Sequence, residues 1–224
     1  MIVVGNLKMY MNYDDILKYK DNIPDNVIIC PSSLFVPYFL NHNYQVGVQD
    51  VSMYDLGSHT GEISAVQAKQ MGVTYTLIGH SERRNKETDE EINKKILKAL
   101  ENNLKVILCI GENKDEDKED KLKYQLLNDL KGINDLSNII IAYEPIWCIG
   151  TGITPTNAQI EDTINFIQSI IQNNFNGCVK VLYGGSVDKN NIDTLKKIDN
   201  VAGFLIGKAS TDCDHLKEIV DSLR

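Results

Sequence analysis

Short, continuous apolar runs punctuate the chain at 2–5, 27–30, 46–49, 75–79, 106–110, 139–143, 179–183 and 203–206. They are rich in Val and Ile and do not alternate with polar residues, which predicts parallel strands covered on both faces. Between them, apolar residues return at three- and four-residue spacing over 14–20, 33–41, 64–71, 89–102, 120–130, 156–174, 189–197 and 214–223. That spacing predicts amphipathic helices. Thr88 with Glu91 three residues later reads as a capping box, and Thr154-Pro155 as an N-cap followed by the first helical residue.

Strand then helix, eight times over in 224 residues, predicts a closed (β/α)8 barrel, the TIM-barrel architecture, near the small end of its size range. A doubly wound open sheet is the alternative. No Pro/Gly/Ser-rich linker interrupts the alternation, so a single domain over 1–224 is expected. The charge-dense run 112–123 mixes both signs and reads as a solvated loop and helix start.

Composition narrows the function classes. A formal charge of −8 gives no long-range attraction for nucleic acid or an anionic membrane, so neither partner is expected. No stretch approaches the ~20 apolar residues of a membrane span. Cys30, Cys109, Cys148, Cys178 and Cys213 are odd in number and lack CxxC spacing, which argues against a disulfide framework or a metal site and for a reducing, cytoplasmic setting. Met1 runs straight into Ile2-Val3-Val4, without the basic start of a signal peptide.

In a parallel barrel all strand C-termini face one end, so residues distant in sequence converge there. The first strand exits into Asn6-Leu7-Lys8, the fourth into His80-Ser81-Glu82, the sixth into Glu144, the seventh into Gly184-Gly185-Ser186 and the eighth into Gly207-Lys208. Together these supply an acid, a base, a cation and two glycine-containing turns whose N–H groups can surround a phosphate. Burial among Ile, Trp and Tyr neighbours would raise the proton affinity of Glu144 toward that of a general base. Taken singly, Glu144 could equally cap or ion-pair at a strand end, and His80 could be a structural side chain. His42, His59 and His215 lack such company and read as surface residues. Arg83, Arg84 and Cys109 read as ion-pairing or packing groups.

These motifs resemble the triosephosphate isomerase family over essentially the whole chain: Gly5-Asn6-Leu7-Lys8, Gly79-His80-Ser81-Glu82-Arg83-Arg84, Tyr143-Glu144-Pro145-Ile146-Trp147, Ile149-Gly150-Thr151-Gly152 and Tyr183-Gly184-Gly185-Ser186-Val187. The resemblance implies interconversion of dihydroxyacetone phosphate and glyceraldehyde 3-phosphate without metal or organic cofactor, in glycolysis and gluconeogenesis. It implies Glu144 as the base, His80 as a neutral electrophile and Lys8 as the active-site lysine; the pairing of a Glu base with a neutral His comes from the resemblance. A helix starting after His80 would lower its pKa and favour the neutral ring. Asn6, Lys8, Gly150, Ser186, Gly207 and Lys208 would bind substrate, the phosphate mainly through backbone N–H groups. Pro145, Ile146, Trp147, Cys148, Ile149, Gly150, Thr151 and Gly152 would form a lid, with Ile149 and Leu205 desolvating Glu144.

Two departures stand out. Lys208 occupies a position where the family usually has a second glycine, and its side chain is expected to face solvent. His59 stands where Phe is common, in the segment 57–62 that resembles the family's interface loop. By that match the protein is a homodimer, with Thr60 reaching the partner subunit near the partner's Asn6 and the partner's Lys8, and Glu62 pairing with the partner's Arg83. The rival readings are another sugar-phosphate barrel enzyme and, from a different class, a non-catalytic phosphate-binding or surface-interaction protein that retains the fold. Turnover separates the last from an enzyme.

Overall fold

The computed structural model describes residues 1–42, 44–151, 153–175 and 177–224. Within these, β1 (Ile2–Asn6), β2 (Val27–Cys30), β3 (Gln45–Val48), β4 (Tyr75–Ile78), β5 (Lys105–Ile110), β6 (Ile139–Tyr143), β7 (Lys180–Tyr183) and β8 (Val201–Ile206) pair in parallel and in order, and β8 returns to β1 to close the barrel. The register Val4↔Leu205 and Gly5↔Ile206 makes that closure. The open-sheet alternative is therefore excluded.

Continuous apolar strands are explained by burial on both faces. Val4, Ile28, Leu77, Ile107, Ala142 and Leu182 belong to one buried cluster, while their neighbours Val3, Ile29, Ile78, Leu108, Ile141 and Val181 belong to another that also takes in helix residues. Successive strand residues thus feed the barrel interior and the surrounding helical layer in turn.

The helices are α1 (Tyr13–Tyr19), α2 (Ala65–Gln70), α3 (Ser81–Arg84), α4 (Asp89–Glu101), α5 (Lys118–Asp129), α6 (Asn157–Asn174), α7 (Ile192–Leu195) and α8 (Cys213–Ser222). Thr88 and Glu91 form the expected capping box on α4. The start of α6 differs from expectation: Thr156, not Thr154, is the N-cap, because Gln159 is placed to complete a capping box with it. The segment 33–41 gives only a 3₁₀ turn, Ser33–Tyr38, which contains Pro37 and lacks a side-chain cap. Residues 189–197 shorten to α7, whose N-cap Asn191 makes no side-chain cap bond. Among the described residues, no helix is long and apolar enough to cross a membrane.

Candidate active site

Asn6, Lys8, His80, Glu144, Ile149, Gly150, Ser186, Leu205, Gly207 and Lys208 all line one cavity of about 590 Å³ at the C-terminal end of the barrel. Topology brings them together: each lies at or just beyond the exit of a strand, or on the loop that follows.

Glu144 is buried directly after β6. Its Oε2 accepts the Ser81 N–H at 3.1 Å, and its Oε1 lies 3.1 Å from His80 Nε2. His80 is itself the N-cap of α3, and its Nδ1 accepts the Glu82 N–H at 3.2 Å. An accepting Nδ1 carries no proton in the neutral ring, so the proton belongs on Nε2, the nitrogen that faces Glu144. The helix start thus selects a tautomer, but it does not set the pKa alone. Burial pulls the His80 pKa down, the adjacent Glu144 carboxylate pushes it up by more, and the net result is a raised value. The expectation of a lowered pKa fails here because it left out the Glu144 carboxylate.

Lys8 has φ 47°, in the left-handed region that a non-glycine residue adopts at a cost of about 1–3 kcal/mol. The surroundings hold it there. Its N–H donates to Asn6 Oδ1 at 3.1 Å, its carbonyl accepts from Gln49 Nε2 at 2.9 Å, and its ammonium pairs with Glu82 at 2.7 Å. Glu82 therefore serves both neighbours, with its backbone on His80 and its carboxylate on Lys8. Lys8 has that counter-ion before any anion arrives.

The segment expected to form the lid begins with Pro145 and a 3₁₀ turn over Ile146–Cys148. Trp147 Nε1 and the Tyr143 hydroxyl both donate to Glu112 Oε1 at 3.1 Å. The Thr151 hydroxyl donates to the Cys148 carbonyl at 3.0 Å, and Gly150 has φ 72°. Gly152 lies outside the described residues. Burial raises the pKa of Glu112 against the pull of its two donors. This corrects the reading of 112–123 as wholly solvated: the run is exposed or half-buried in its middle, but its first carboxylate is buried beneath the lid. The aromatic donors at Tyr143 and Trp147 were the available signal.

Lys208 opens a 3₁₀ turn, Lys208–Thr211, and is exposed while bordering the cavity. Its φ is not positive, so a side chain is accommodated there without left-handed strain. His215 also borders the cavity, and its Nε2 accepts the Lys189 N–H at 3.1 Å.

A second cleft shares Asn6, Lys8 and His80 with the first and extends over Ser33, Asp50, Glu62, Glu82 and Arg83. Arg83 pairs within its own chain with Asp50, at 2.8 Å, and with Glu87. Thr60 and Glu62 are exposed, and His59 stacks on Tyr54 with ring centroids 4.0 Å apart and planes 4° from parallel. All five cysteines are free thiols. Among the described residues no group of three or more His, Cys, Asp or Glu is arranged to hold a metal ion.

Comparison with known proteins agrees on one family. The sequence profile described as triosephosphate isomerase matches residues 1–223. Triosephosphate isomerase of Wolbachia pipientis wMel is 38% identical over 235 residues, covering 99% of this chain and 93% of that one. The protein of that name from Alkaliphilus metalliredigens is 37% identical over 243 residues, covering 98% of both. The crystal structure of triosephosphate isomerase from Bartonella henselae superposes with a TM-score of 0.88 at 30% identity, covering 99% of this chain and 98% of that one.

Proposed function

The chain belongs to the triosephosphate isomerase family, and we propose that it interconverts dihydroxyacetone phosphate and D-glyceraldehyde 3-phosphate by proton transfer through an enediol(ate), as one barrel domain over 1–224. The observation that carries this reading is the placement of His80 Nε2 and Glu144 Oε1 3.1 Å apart, inside a cavity that also holds Lys8.

In the proposed step the Glu144 carboxylate takes the proton from the carbon next to the carbonyl. The bonding electrons move onto the carbonyl oxygen, where the His80 Nε2–H stabilises the negative charge without itself becoming charged. Glu144 then returns a proton to the neighbouring carbon, the former carbonyl carbon, while the hydroxyl proton on the first carbon's oxygen passes to the former carbonyl oxygen, so that carbonyl and hydroxyl exchange places with no net gain or loss of protons. A donor fixed in advance needs no reorganisation as charge develops, and removal of one such donor typically costs about 10²–10³ in kcat. Lys8 would exchange Glu82 for the incoming phosphodianion and the developing oxyanion, supplying positive charge in an acidic chain. The N–H groups of Gly150, Ser186, Gly207 and Lys208 would hold the phosphate, with Asn6 a neutral donor nearby. Closure of 145–152 would bring Ile149 and Leu205 over Glu144 and exclude water.

We further propose that the enzyme is a cytoplasmic homodimer acting in glycolysis and gluconeogenesis. The cleft beside Asn6, Lys8 and His80 suits a partner's Thr60 loop, and exposed Met9 and Leu34 offer apolar area at that end. Such a loop would touch the catalytic groups from the side opposite the substrate.

The test is a coupled isomerase assay with each triose phosphate. Turnover in the wild type and its loss by at least about 10²-fold in Glu144→Ala, with folding intact, are expected of a general base. Undiminished turnover in the variant removes Glu144 from that role. Absence of turnover with intact phosphate binding would favour the non-catalytic alternative.

A further inference from the structure

We propose that Arg84, with Asp129 as its buried counter-ion, is a positioning residue for the His80–Glu144 pair. The proposal rests on the isomerase reading for the identity of that pair. It concerns a cluster that the chemistry described above does not use.

The four residues of α3 divide into two ends. Its first turn handles the site: His80 caps it, the Ser81 N–H holds Glu144, and Glu82 serves His80 and Lys8. Its last residue, Arg84, turns the other way, and its side chain is 10% exposed. Arg84 Nη2 lies 2.5 Å from Asp129 Oδ2, and Nη1 lies 2.7 Å from Asp89 Oδ1. Nε and Nη2 both donate to the Cys109 carbonyl, at 3.2 and 2.9 Å. The guanidinium also packs against Gly79, the residue before His80, where an added Cβ would lie 2.9 Å from Nη2.

The Cys109 contact carries the argument. The register of β4 with β5 ends at Ile78↔Leu108, after which the chain leaves the sheet through Gly79 and His80. Beyond that point the Cys109 carbonyl receives the Arg84 guanidinium. Cys109 is registered with Ala142, and the Ile110 carbonyl accepts the Glu144 N–H at 2.8 Å. Arg84 therefore connects the turn that bears His80 to the strand that fixes Glu144, where the ladder between β4 and β5 has ended.

Asp129 aims the fork. Its side chain is fully buried at the end of α5, and the Asn93 amide donates to its carbonyl at 2.8 Å. With Asp129 neutralised, Arg84 keeps only Asp89, which is partly exposed, as a charged partner. A planar fork joined to two carboxylates and one carbonyl has little rotational freedom, which is what fixing a neighbouring turn requires.

Arg84→Gln, Asp129→Asn and the double variant test the proposal through three readouts. A small misplacement of reacting groups from a site away from the chemistry can cost about 10²-fold, so Arg84→Gln should lower kcat by roughly 10- to 100-fold. KM and the inhibition constant of inorganic phosphate should change by less than about 2-fold, because uniform binding is untouched. The double variant should be no worse than Arg84→Gln, as expected for groups acting as one unit. The ¹⁵N resonances of the His80 imidazole should shift in Arg84→Gln, a change that loss of stability alone does not produce.

A lowered melting temperature with unchanged kcat and unmoved His80 resonances overturns the proposal and leaves the cluster a stabilising ion network. If Arg84→Gln does not fold, Asp129→Asn and Asp89→Asn decide it. The former must reduce kcat more than the latter, and equal or reversed effects count against positioning. An inactive wild type would sink the isomerase reading, while the His80 resonances would still report whether Arg84 places the ring.

Discussion

Glu144 rests with one carboxylate oxygen 3.1 Å from His80 Nε2 and the other 3.1 Å from the Ser81 N–H. The two side chains are mutual neighbours, and the Glu144 carboxylate shapes the charge of the imidazole. Because Glu144 is what raises the His80 pKa against burial, Glu144→Gln should lower it. The sign for stability follows. A histidine with a raised folded pKa contributes stability that is fully present below its unfolded value near 6.5 and is lost as pH rises through the folded value. Wild-type stability should therefore fall over that interval, and Glu144→Gln should flatten the slope. Imidazole NMR titration and denaturant unfolding at several pH values check both, and an unchanged His80 titration would remove Glu144 as the cause.

Trp147 is the single tryptophan of the chain, which makes it an optical reporter for the segment proposed as the lid. Its indole N–H donates to buried Glu112. Hydrogen bonds to a charged group are worth about 1.5–3 kcal/mol. Glu112→Gln should weaken the attachment, shift the emission of the free enzyme to the red and lower kcat with little change in phosphate affinity. An identical spectrum and kcat would mean that Glu112 does not restrain the lid.

Gly111 lies beneath Glu144. A Cβ there would stand 1.8 Å from the Glu144 carbonyl oxygen and 2.8 Å from its carbonyl carbon, both backbone atoms that cannot swing aside. Overpacking costs typically about 1–3 kcal/mol even where side chains can yield. Gly111→Ala should therefore lower stability by at least that range and reduce isomerase activity disproportionately, since the displaced residue is Glu144. Thermal unfolding and steady-state kinetics on the same preparation provide the check; a variant with wild-type values of both would refute the close approach.

Thr60 stands at the tip of the exposed 57–62 loop, beyond the Tyr54–His59 stack. If it enters a partner's cleft, Thr60→Arg should yield monomers in sedimentation velocity and lose about 10-fold or more of kcat through misplaced reacting groups. Persistence of the wild-type sedimentation coefficient would count against this loop as the interface.

The barrel was legible because both faces of every strand are buried, which writes uninterrupted apolar runs into the sequence. The convergence of strand-exit residues on one cavity was legible because parallel strands all end at one face. Where local chemistry decided, the reading failed. Thr154 and Thr156 both precede plausible helix starts, and only the reach of Gln159 selects Thr156. Glu112 sits in a run of charges, and nothing in that run distinguishes it from its exposed neighbours; Tyr143 and Trp147, distant in sequence, bury it. Asp129 escaped notice because its partner, Arg84, is 45 residues away. A lysine at 208 looked anomalous beside Gly207, yet the backbone there does not need a positive φ.

The brevity of α3 makes it a gauge. Each α-helical residue turns the chain by about 100°, so one residue added between Ser81 and Arg84 would point the guanidinium away from Cys109 while His80 kept its place, and one removed would rotate it off Cys109 in the opposite sense. This helix is bounded at both ends by fixed partners, the Glu144 carboxylate at Ser81 and the Cys109 carbonyl at Arg84. Its length, as much as its residue types, is part of the site's specification.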